Sequence, residues 1–128
     1  MINIVESDRG KLTGIDLTNI PFVPKRIFIV NNVPVDEIRG DHAHYLDHQI
    51  LYCLSGSLIV NKIYKSKNKD TIILNAGDAC EIPPLTWSTI KFIENNSSFL
   101  CVCSEQYDEK EYIRNYEKFM RIIDNVNI

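Results

Sequence analysis

Two histidines one residue apart, His42 and His44, are the side chains in this sequence best suited to acid–base chemistry. They belong to the segment Arg39-Gly40-Asp41-His42-Ala43-His44. Residues at positions i and i+2 of a β-strand point to the same face, so we expect two imidazoles side by side. Because an unperturbed imidazole titrates near pH ~6.5, such a pair can take up and release protons under physiological conditions.

Gln49 is expected to lie close to this pair. A turn over residues 45–48 would lead into a strand from Gln49 to Leu54, which ends at the turn signal Ser55-Gly56-Ser57. The amide could orient an imidazole or hold a ligand hydroxyl, or it could be a barrel amide satisfied by the backbone. An H-x-H pair alone is often structural, so the wider context of the motif decides its interpretation.

The spacing of this segment resembles the first half of a cupin metal motif, with Gln49 in place of the glutamate. The second half follows Gly77, where Pro83-Pro84 precedes Trp87 and Ser88 stands in place of the last histidine. Two imidazoles, an amide and a hydroxyl lack the anionic ligand and the third nitrogen that hold zinc, iron or manganese. We therefore predict proton transfer without a metal or other cofactor, and a metal-dependent dioxygenase remains an alternative.

The elements around these residues are predicted to be strands. At 128 residues and 45% hydrophobic, the chain is expected to form one domain over residues 1–128. Short β-like runs separated by turn residues recur about every ten positions, which indicates an all-β barrel or sandwich. Helical spacing occurs only near the end, with Asp108 as predicted N-cap and Glu111 three positions on. The apolar face of that helix comprises Tyr112, Ile113, Tyr116, Phe119, Met120 and Ile123.

Charge and cysteine usage exclude several classes of protein. Fourteen basic against seventeen acidic residues give a net charge of −3, and the lysine-rich run 65–70 is predicted to be a solvated hairpin loop. Nucleic acid is therefore not expected as a partner. No leader-like or membrane-spanning apolar run appears, which predicts a cytoplasmic protein. The four cysteines have no C-x-x-C spacing and are expected to be reduced core residues.

Taken together, these motifs resemble one family of small cupins. The matching segments include Arg39-Gly40-x-His42-Ala43-His44, Gln49, Trp87 and the ending Tyr107-Asp108-Glu109-x-Glu111-Tyr112-Ile113-Arg114. The family is that of the dTDP-4-keto-6-deoxyhexose 3,4-ketoisomerases, grouped with the WxcM-like or FdtA-like C-terminal domains. The likeness extends over nearly the whole chain, and the two motifs together are much more specific than either alone.

The resemblance implies a single-domain cupin jelly-roll barrel with one C-terminal α-helix. It also implies a homodimer, often with strands exchanged near the N-terminus, and a dTDP-linked 4-keto-6-deoxy sugar as substrate. The implied reaction moves the ketone from carbon 4 to carbon 3 through an enediol, in deoxyamino sugar biosynthesis for surface polysaccharide such as the O-antigen. By the same resemblance His42 is the leading catalytic base and His44 lies beside it.

Substrate-binding residues are predicted from charge and aromaticity. Arg9 and Arg39, with Arg26 next, are candidates for the diphosphate because a guanidinium offers it a bidentate fork. The single tryptophan, Trp87, could stack on the sugar or thymine ring. The competing interpretations are solvated surface charges for the arginines and a core role for Trp87.

Two departures from the family leave other functions open. Members commonly carry a tyrosine in the strand where this chain reads Phe28-Ile29-Val30, and a histidine where it has Ser88. A third proton carrier is therefore expected to be missing. The alternatives are a non-catalytic sugar-nucleotide-binding cupin and a related sugar-nucleotide epimerase, although the latter usually pairs one histidine with an aspartate and a distal tyrosine. The sequence leaves open whether the product is the galacto or gluco isomer.

Overall fold

The structure is a computed structural model that describes residues 2–125. Its regular elements are eleven strands, one short 3-10 helix and one α-helix over those residues. In chain order they are β1 Ile2–Ser7, β2 Gly10–Ile15, β3 Arg26–Val30, β4 Ile38–His44, β5 Gln49–Ser55, β6 Ser57–Ile63, β7 Lys69–Asn75, β8 Ala79–Ile82, β9 Trp87–Phe92, β10 Ser98–Cys103, the 3-10 helix Glu109–Glu111, β11 Tyr112–Ile113 and α1 Tyr116–Asp124.

Two antiparallel sheets form the body of the molecule. One has the strand order β3-β10-β5-β8 and the other β11-β4-β9-β6-β7, while β1 and β2 pair only with each other. The H-x-H strand β4 and the following strand β5 therefore lie in different sheets, joined by the predicted turn at residues 45–48. This arrangement confirms the predicted all-β jelly roll with one C-terminal helix.

The main core lies between the inner faces of the two sheets. Leu51, Leu58, Val60, Phe92 and Phe99 are almost fully buried there, which is the alternation expected for strands with one face toward a core. The four cysteines are free and buried, as predicted, and belong to the same layer.

A second apolar cluster covers the outer face of the β4 sheet. Ala43, Trp87 and Ile113 point outward from β4, β9 and β11, and α1 packs on them through Phe119 and Ile123. The rings of Trp87 and Phe119 lie 5.6 Å apart between centroids. The helix therefore supports from behind the strands whose inner faces carry the histidines.

The beginning of the C-terminal helix was wrongly predicted. Asp108 caps the 3-10 helix by accepting a hydrogen bond from the Lys110 amide, and α1 begins at Tyr116 with Asn115 as its N-cap. Between them Tyr112 pairs with His44 of β4 as a strand. The capping signal at Asp108 leads only to the 3-10 helix. The next two residues, although at helical spacing, pair with β4 instead of continuing a helix.

The lysine-rich run 65–70 is exposed and forms the turn between β6 and β7, as predicted, with its last two residues beginning β7. Lys62, just before it, differs: its side chain is buried and its Nζ donates to the Glu81 carbonyl at 2.9 Å. No helix within residues 2–125 is long and apolar enough to cross a membrane.

The β1–β2 hairpin carries an exposed apolar surface. Val5 and Leu12 lie opposite each other in its register, and each is more than 60% exposed. A two-stranded ribbon is marginal by itself in water. Lys11 ties the hairpin to β5 by donating to the Leu54 carbonyl at 2.9 Å.

Candidate active site

A cavity of about 860 Å³ opens between the two sheets. His42, Ser88 and Tyr112 line it from the β4 sheet. Arg26 and Gln49 line it from the other sheet, and the segment after β3 forms part of its rim. Its volume is in the range of small-molecule sites in proteins. Predicted site residues from distant parts of the chain are therefore brought to one place.

The backbone before His42 has an unusual conformation that sets the direction of its ring. Gly40 has a φ of 83° and Asp41 a φ of 61°, and the register between β4 and β9 shifts at this point. A Cβ at Gly40 would come within 3.0 Å of the Ser88 carbonyl oxygen, so a glycine fits here best. The bulge lets the imidazole fold back on its own strand.

The tautomer of His42 follows from this fold-back. Its Nδ1 lies 3.0 Å from the Gly40 carbonyl oxygen. A carbonyl only accepts hydrogen bonds, so Nδ1 carries the proton and Nε2 keeps its lone pair. Burial lowers the pKa of His42, which keeps the ring neutral near pH 7. His42 is thus prepared as a base.

His44 lies beside His42, as predicted from the H-x-H spacing. The two rings are 4.9 Å apart between centroids and nearly perpendicular. His44 is buried behind the cavity wall, and burial, followed by the charge of His42, lowers its pKa to about 3. Both imidazoles are therefore neutral in the folded protein at physiological pH.

Tyr112 is a site residue that the sequence reasoning missed. Its ring lies 5.0 Å from that of His42 and 4.3 Å from that of His44. The helical interpretation of residues 112–123 hid it, although the alternation of Tyr112, Ile113 and Arg114 was the available strand signal. Its phenol brings a third group able to carry a proton next to the two histidines.

Arg26 is held in the cavity wall rather than in solvent. It forms an ion pair of 3.4 Å with the buried carboxylate of Asp47. Burial lowers the pKa of its guanidinium, but hydrogen bonds with Tyr112 and Cys103 outweigh that effect, so the pKa is above its ordinary value. The predicted cation is therefore permanently charged and close to the histidine pair.

Gln49 reaches His44, as expected. Its Nε2 lies 3.5 Å from Nε2 of His44 and 2.9 Å from Oδ2 of Asp47. Asp47 was not predicted as a site residue, because a carboxylate in a turn between strands is usually expected to be exposed to solvent.

Two further arginines line the cavity. Arg39 is exposed, and Arg114 stacks over Tyr112 with its guanidinium carbon 4.5 Å from the ring centroid. Arg114 also makes two hydrogen bonds to Glu109, at 2.8 and 3.1 Å. Together with Arg26 they give the cavity a cationic border, opposed by the carboxylate of Glu37.

Two predicted binding residues, Trp87 and Arg9, are not part of the cavity lining. Trp87 points to the outer face, packs on α1 and donates from Nε1 to Asp41 at 3.2 Å, which corresponds to the core role that the sequence left open as the alternative to stacking. Strand alternation explains the difference, since Ser88 takes the inward position. Arg9 lies on the exposed turn of the β1–β2 hairpin.

The two departures from the family pattern both face the cavity. Phe28 and Ser88 line it, and Ser88 lies directly opposite His42 in register.

Within residues 2–125 no group of three or more His, Cys, Asp or Glu side chains could hold a metal ion.

Comparison with known proteins gives consistent matches along the chain. The family model described as "FdtA: WxcM-like, C-terminal" matches residues 1–124. The chain is 30% identical over 126 residues to TDP-4-oxo-6-deoxy-alpha-D-glucose-3,4-oxoisomerase of Aneurinibacillus thermoaerophilus, covering 98% of this chain and 90% of that one.

Solved structures agree with this match. A histidine-to-asparagine mutant of the 3,4-ketoisomerase QdtA from Thermoanaerobacterium thermosaccharolyticum, in complex with TDP-4-keto-6-deoxyglucose, is 31% identical with a TM-score of 0.83, covering 96% and 90% of the two chains. The TDP-fucose-3,4-ketoisomerase WlaRA from Campylobacter jejuni is 30% identical with a TM-score of 0.81, covering 97% and 93%.

Proposed function

The chain belongs to the FdtA family of WxcM-like C-terminal domains, and on that premise we propose that it is a TDP-sugar 3,4-ketoisomerase. The substrate class follows from the relatives, which are named for TDP-4-oxo-6-deoxyglucose or crystallised with TDP-4-keto-6-deoxyglucose. The observation that carries the proposal is the neutral His42 in the cavity wall, with its Nδ1 on the Gly40 carbonyl and its Nε2 free to accept a proton.

The reaction begins with removal of a proton from carbon 3 of the sugar. Nε2 of His42 takes this proton while the electrons of the C3–H bond form a C3–C4 double bond and the oxygen on carbon 4 becomes an alkoxide. A neutral imidazole with a pKa below its ordinary value is a weaker base, and its availability at pH 7 compensates for that. The first step therefore needs only a base and donors for the new charge.

Donors for the developing charge come from the cavity wall. The Arg26 guanidinium is charged and lines the cavity. A preorganised donor in a water-poor cavity stabilises an alkoxide more than the same group would in water. Protonation of that oxygen gives the enediol.

The second half of the reaction returns a proton to carbon 4. The hydroxyl proton on oxygen 3 leaves as that oxygen becomes the ketone, so that one proton moves from carbon 3 to carbon 4 and one from oxygen 3 to oxygen 4. We assign the Tyr112 hydroxyl as the third proton-carrying group, since its ring contacts both imidazoles and lines the cavity. It supplies the proton-carrying group that a tyrosine and a histidine commonly provide in the family, at the positions where this chain has Phe28 and Ser88.

The diphosphate is assigned to the cationic border of the cavity. Arg39 is exposed at that border and free to close on a phosphate with its bidentate fork. Arg114 adds a second charge next to Tyr112. This orientation leaves the sugar end of the nucleotide toward His42.

Exchange of substrate hydrogen with solvent tests the proposal. In D₂O, TDP-4-keto-6-deoxyglucose should be converted to the 3-keto isomer with deuterium uptake, measured by NMR. His42→Asn should abolish both processes, whereas His48→Asn should retain them, because His48 pairs with Glu81 away from the cavity lining.

Two other outcomes would replace the proposal. Binding of TDP without any exchange in the wild-type protein would favour the non-catalytic module. Exchange that yields only an inverted 4-keto sugar would favour an epimerase.

We also propose that the protein is a homodimer in which the β1–β2 hairpin docks on the partner. The exposed Val5 and Leu12 support this, since the hairpin has an uncovered apolar surface. Such docking would give Arg9 a site on the other chain.

Four buried free thiols favour a reducing compartment, and we place the protein in the cytoplasm, in deoxy sugar biosynthesis.

A further inference from the structure

Asp47 is a buried carboxylate to which the reaction scheme gives no role. It is only 3% exposed, at the turn between β4 and β5. One of its oxygens accepts from the Glu105 amide at 3.1 Å and from Ser104 at 3.4 Å. The other accepts from Arg26 and from Gln49, so the carboxylate is held on both sides. A buried charge fixed this firmly can orient its neighbours.

The carboxylate decides which way the Gln49 amide points. An ionised carboxylate only accepts hydrogen bonds, so the amide must present its NH₂ group to Asp47, at 2.9 Å. The same nitrogen lies 3.5 Å from Nε2 of His44. An NH₂ group has two protons. One goes to Asp47, and the other lies near Nε2 of His44 and the Cys103 sulfur, which is 3.7 Å from the amide nitrogen. Because a thiol sulfur is the weaker acceptor, the ring nitrogen takes this proton.

The proton position on His44 follows from that contact. Nε2 of His44 faces a donor, so it must offer a lone pair, and the single proton of the neutral ring is then on Nδ1. Nδ1 is buried and has no hydrogen-bond partner in the described part of the chain. The ring therefore keeps one donor that no protein acceptor uses.

We propose that Asp47 is a positioning residue that, through Gln49, fixes His44 as the neutral Nδ1–H tautomer. With Nδ1 protonated and Nε2 facing the Gln49 amide, neither nitrogen of His44 is free to take a proton, which leaves the role of base to His42. The part His44 plays in isomerisation rests on the proposed function. Its tautomer does not, because it follows from hydrogen bonds within the protein.

Nitrogen NMR of histidine-labelled protein measures the tautomer directly. The chain has three histidines, so single His→Asn variants assign every ring signal. In the wild type we expect Nδ1 of His44 to be protonated and Nε2 to be unprotonated near pH 7. A wild-type ring with its proton on Nε2 would overturn the proposal.

Two substitutions test the Gln49–His44 contact and the Asp47–Gln49 contact separately. Gln49→Glu replaces the donor by a carboxylate, so the His44 proton should move to Nε2 or the ring should become doubly protonated. Asp47→Asn removes the acceptor that fixes the amide, so the Nε2–H form should appear. Ser104→Ala is the matched control, because it removes one contact to Asp47 without touching Gln49, and the tautomer should be unchanged. A pure Nδ1–H ring in Asp47→Asn would exclude Asp47 as the orienting group.

Steady-state kinetics separate positioning from binding. Gln49→Glu should lower kcat by about 10- to 100-fold, as is typical when the hydrogen-bonded support of a site residue is removed. KM should change little, and a loss confined to KM would contradict the positioning role. If the NMR result holds but the wild type neither exchanges nor isomerises the sugar, the proposed function fails and the tautomer assignment stands.

Discussion

At the scale of single residues, the site depends on where two imidazoles carry their protons. His42 is fixed by the Gly40 carbonyl and His44 by the amide of Gln49. Both rings are kept neutral by burial, which lowers the pKa of each. Two neighbouring histidines can therefore take different roles without becoming charged together.

The lowered histidine pKa values predict a loss of stability in acid. The unfolded chain takes up protons near pH 6.5, whereas folded His44 resists until about pH 3, so the unfolded state binds more protons between these values. This contribution to the free energy of unfolding is complete above pH 6.5 and falls as the pH drops toward 3. Urea unfolding at several pH values should show the decline, and it should be smaller in His44→Gln.

Tyr112→Phe should separate the two halves of the reaction. Phenylalanine keeps the ring contacts with both histidines and removes only the hydroxyl. If that hydroxyl returns the proton to carbon 4, isomerisation should fall about 100-fold or more. Deuterium uptake at carbon 3, which needs His42, should persist and exceed product formation. An equal loss of exchange and isomerisation would instead assign Tyr112 to the first step or to binding.

The sequence predicted the histidine pair, Gln49 and two of the cavity arginines, because strand spacing and charge carry that information. It did not predict Asp47 or Tyr112. Their roles depend on contacts between strands far apart in the chain, and one sequence does not encode these in any local pattern. Trp87 shows the same limit, since alternation forces either Trp87 or Ser88 outward without saying which.

At the scale of elements, β4 has two functions on its two faces. Its inner face carries the histidines, and its outer face, through Ala43, receives the helix α1. The strand positions were largely predictable from short apolar runs between turns. The start of α1 was not, because a capping signal at Asp108 was satisfied by a 3-10 helix and β11 paired with β4.

Removing the main contact of α1 should destabilise the whole domain. Phe119 is fully buried against Trp87, so Phe119→Ala should lower the free energy of unfolding by about 3–5 kcal/mol. Lys118→Ala, on the exposed side of the same helix, should change it by about 0.5 kcal/mol or less. Denaturant titrations of both variants measure the difference, and a loss below about 1 kcal/mol in Phe119→Ala would mean that the helix adds little.

At the scale of the whole molecule, the uncovered hairpin predicts association. The wild type should have twice the 14.8 kDa mass of one chain in solution. Val5→Asp combined with Leu12→Asp places two carboxylates opposite each other on the apolar surface and should give monomers, measured by light scattering. Ser7→Asp, a charge added near the turn without loss of apolar area, should stay dimeric. A wild-type monomer would remove the partner role given to Arg9.

The reactivity of the four buried thiols can report how often the two sheets separate. Each is shielded in the barrel, and burial raises the pKa of Cys53 to about 11. A thiol reagent can therefore react with Cys53 only when the sheets separate, so its alkylation rate in native buffer measures how often this happens. Cys101 forms part of the cavity wall, so a bound nucleotide that holds the sheets together should slow its labelling. Ligand candidates could then be ranked in crude extracts by mass spectrometry, without a turnover assay.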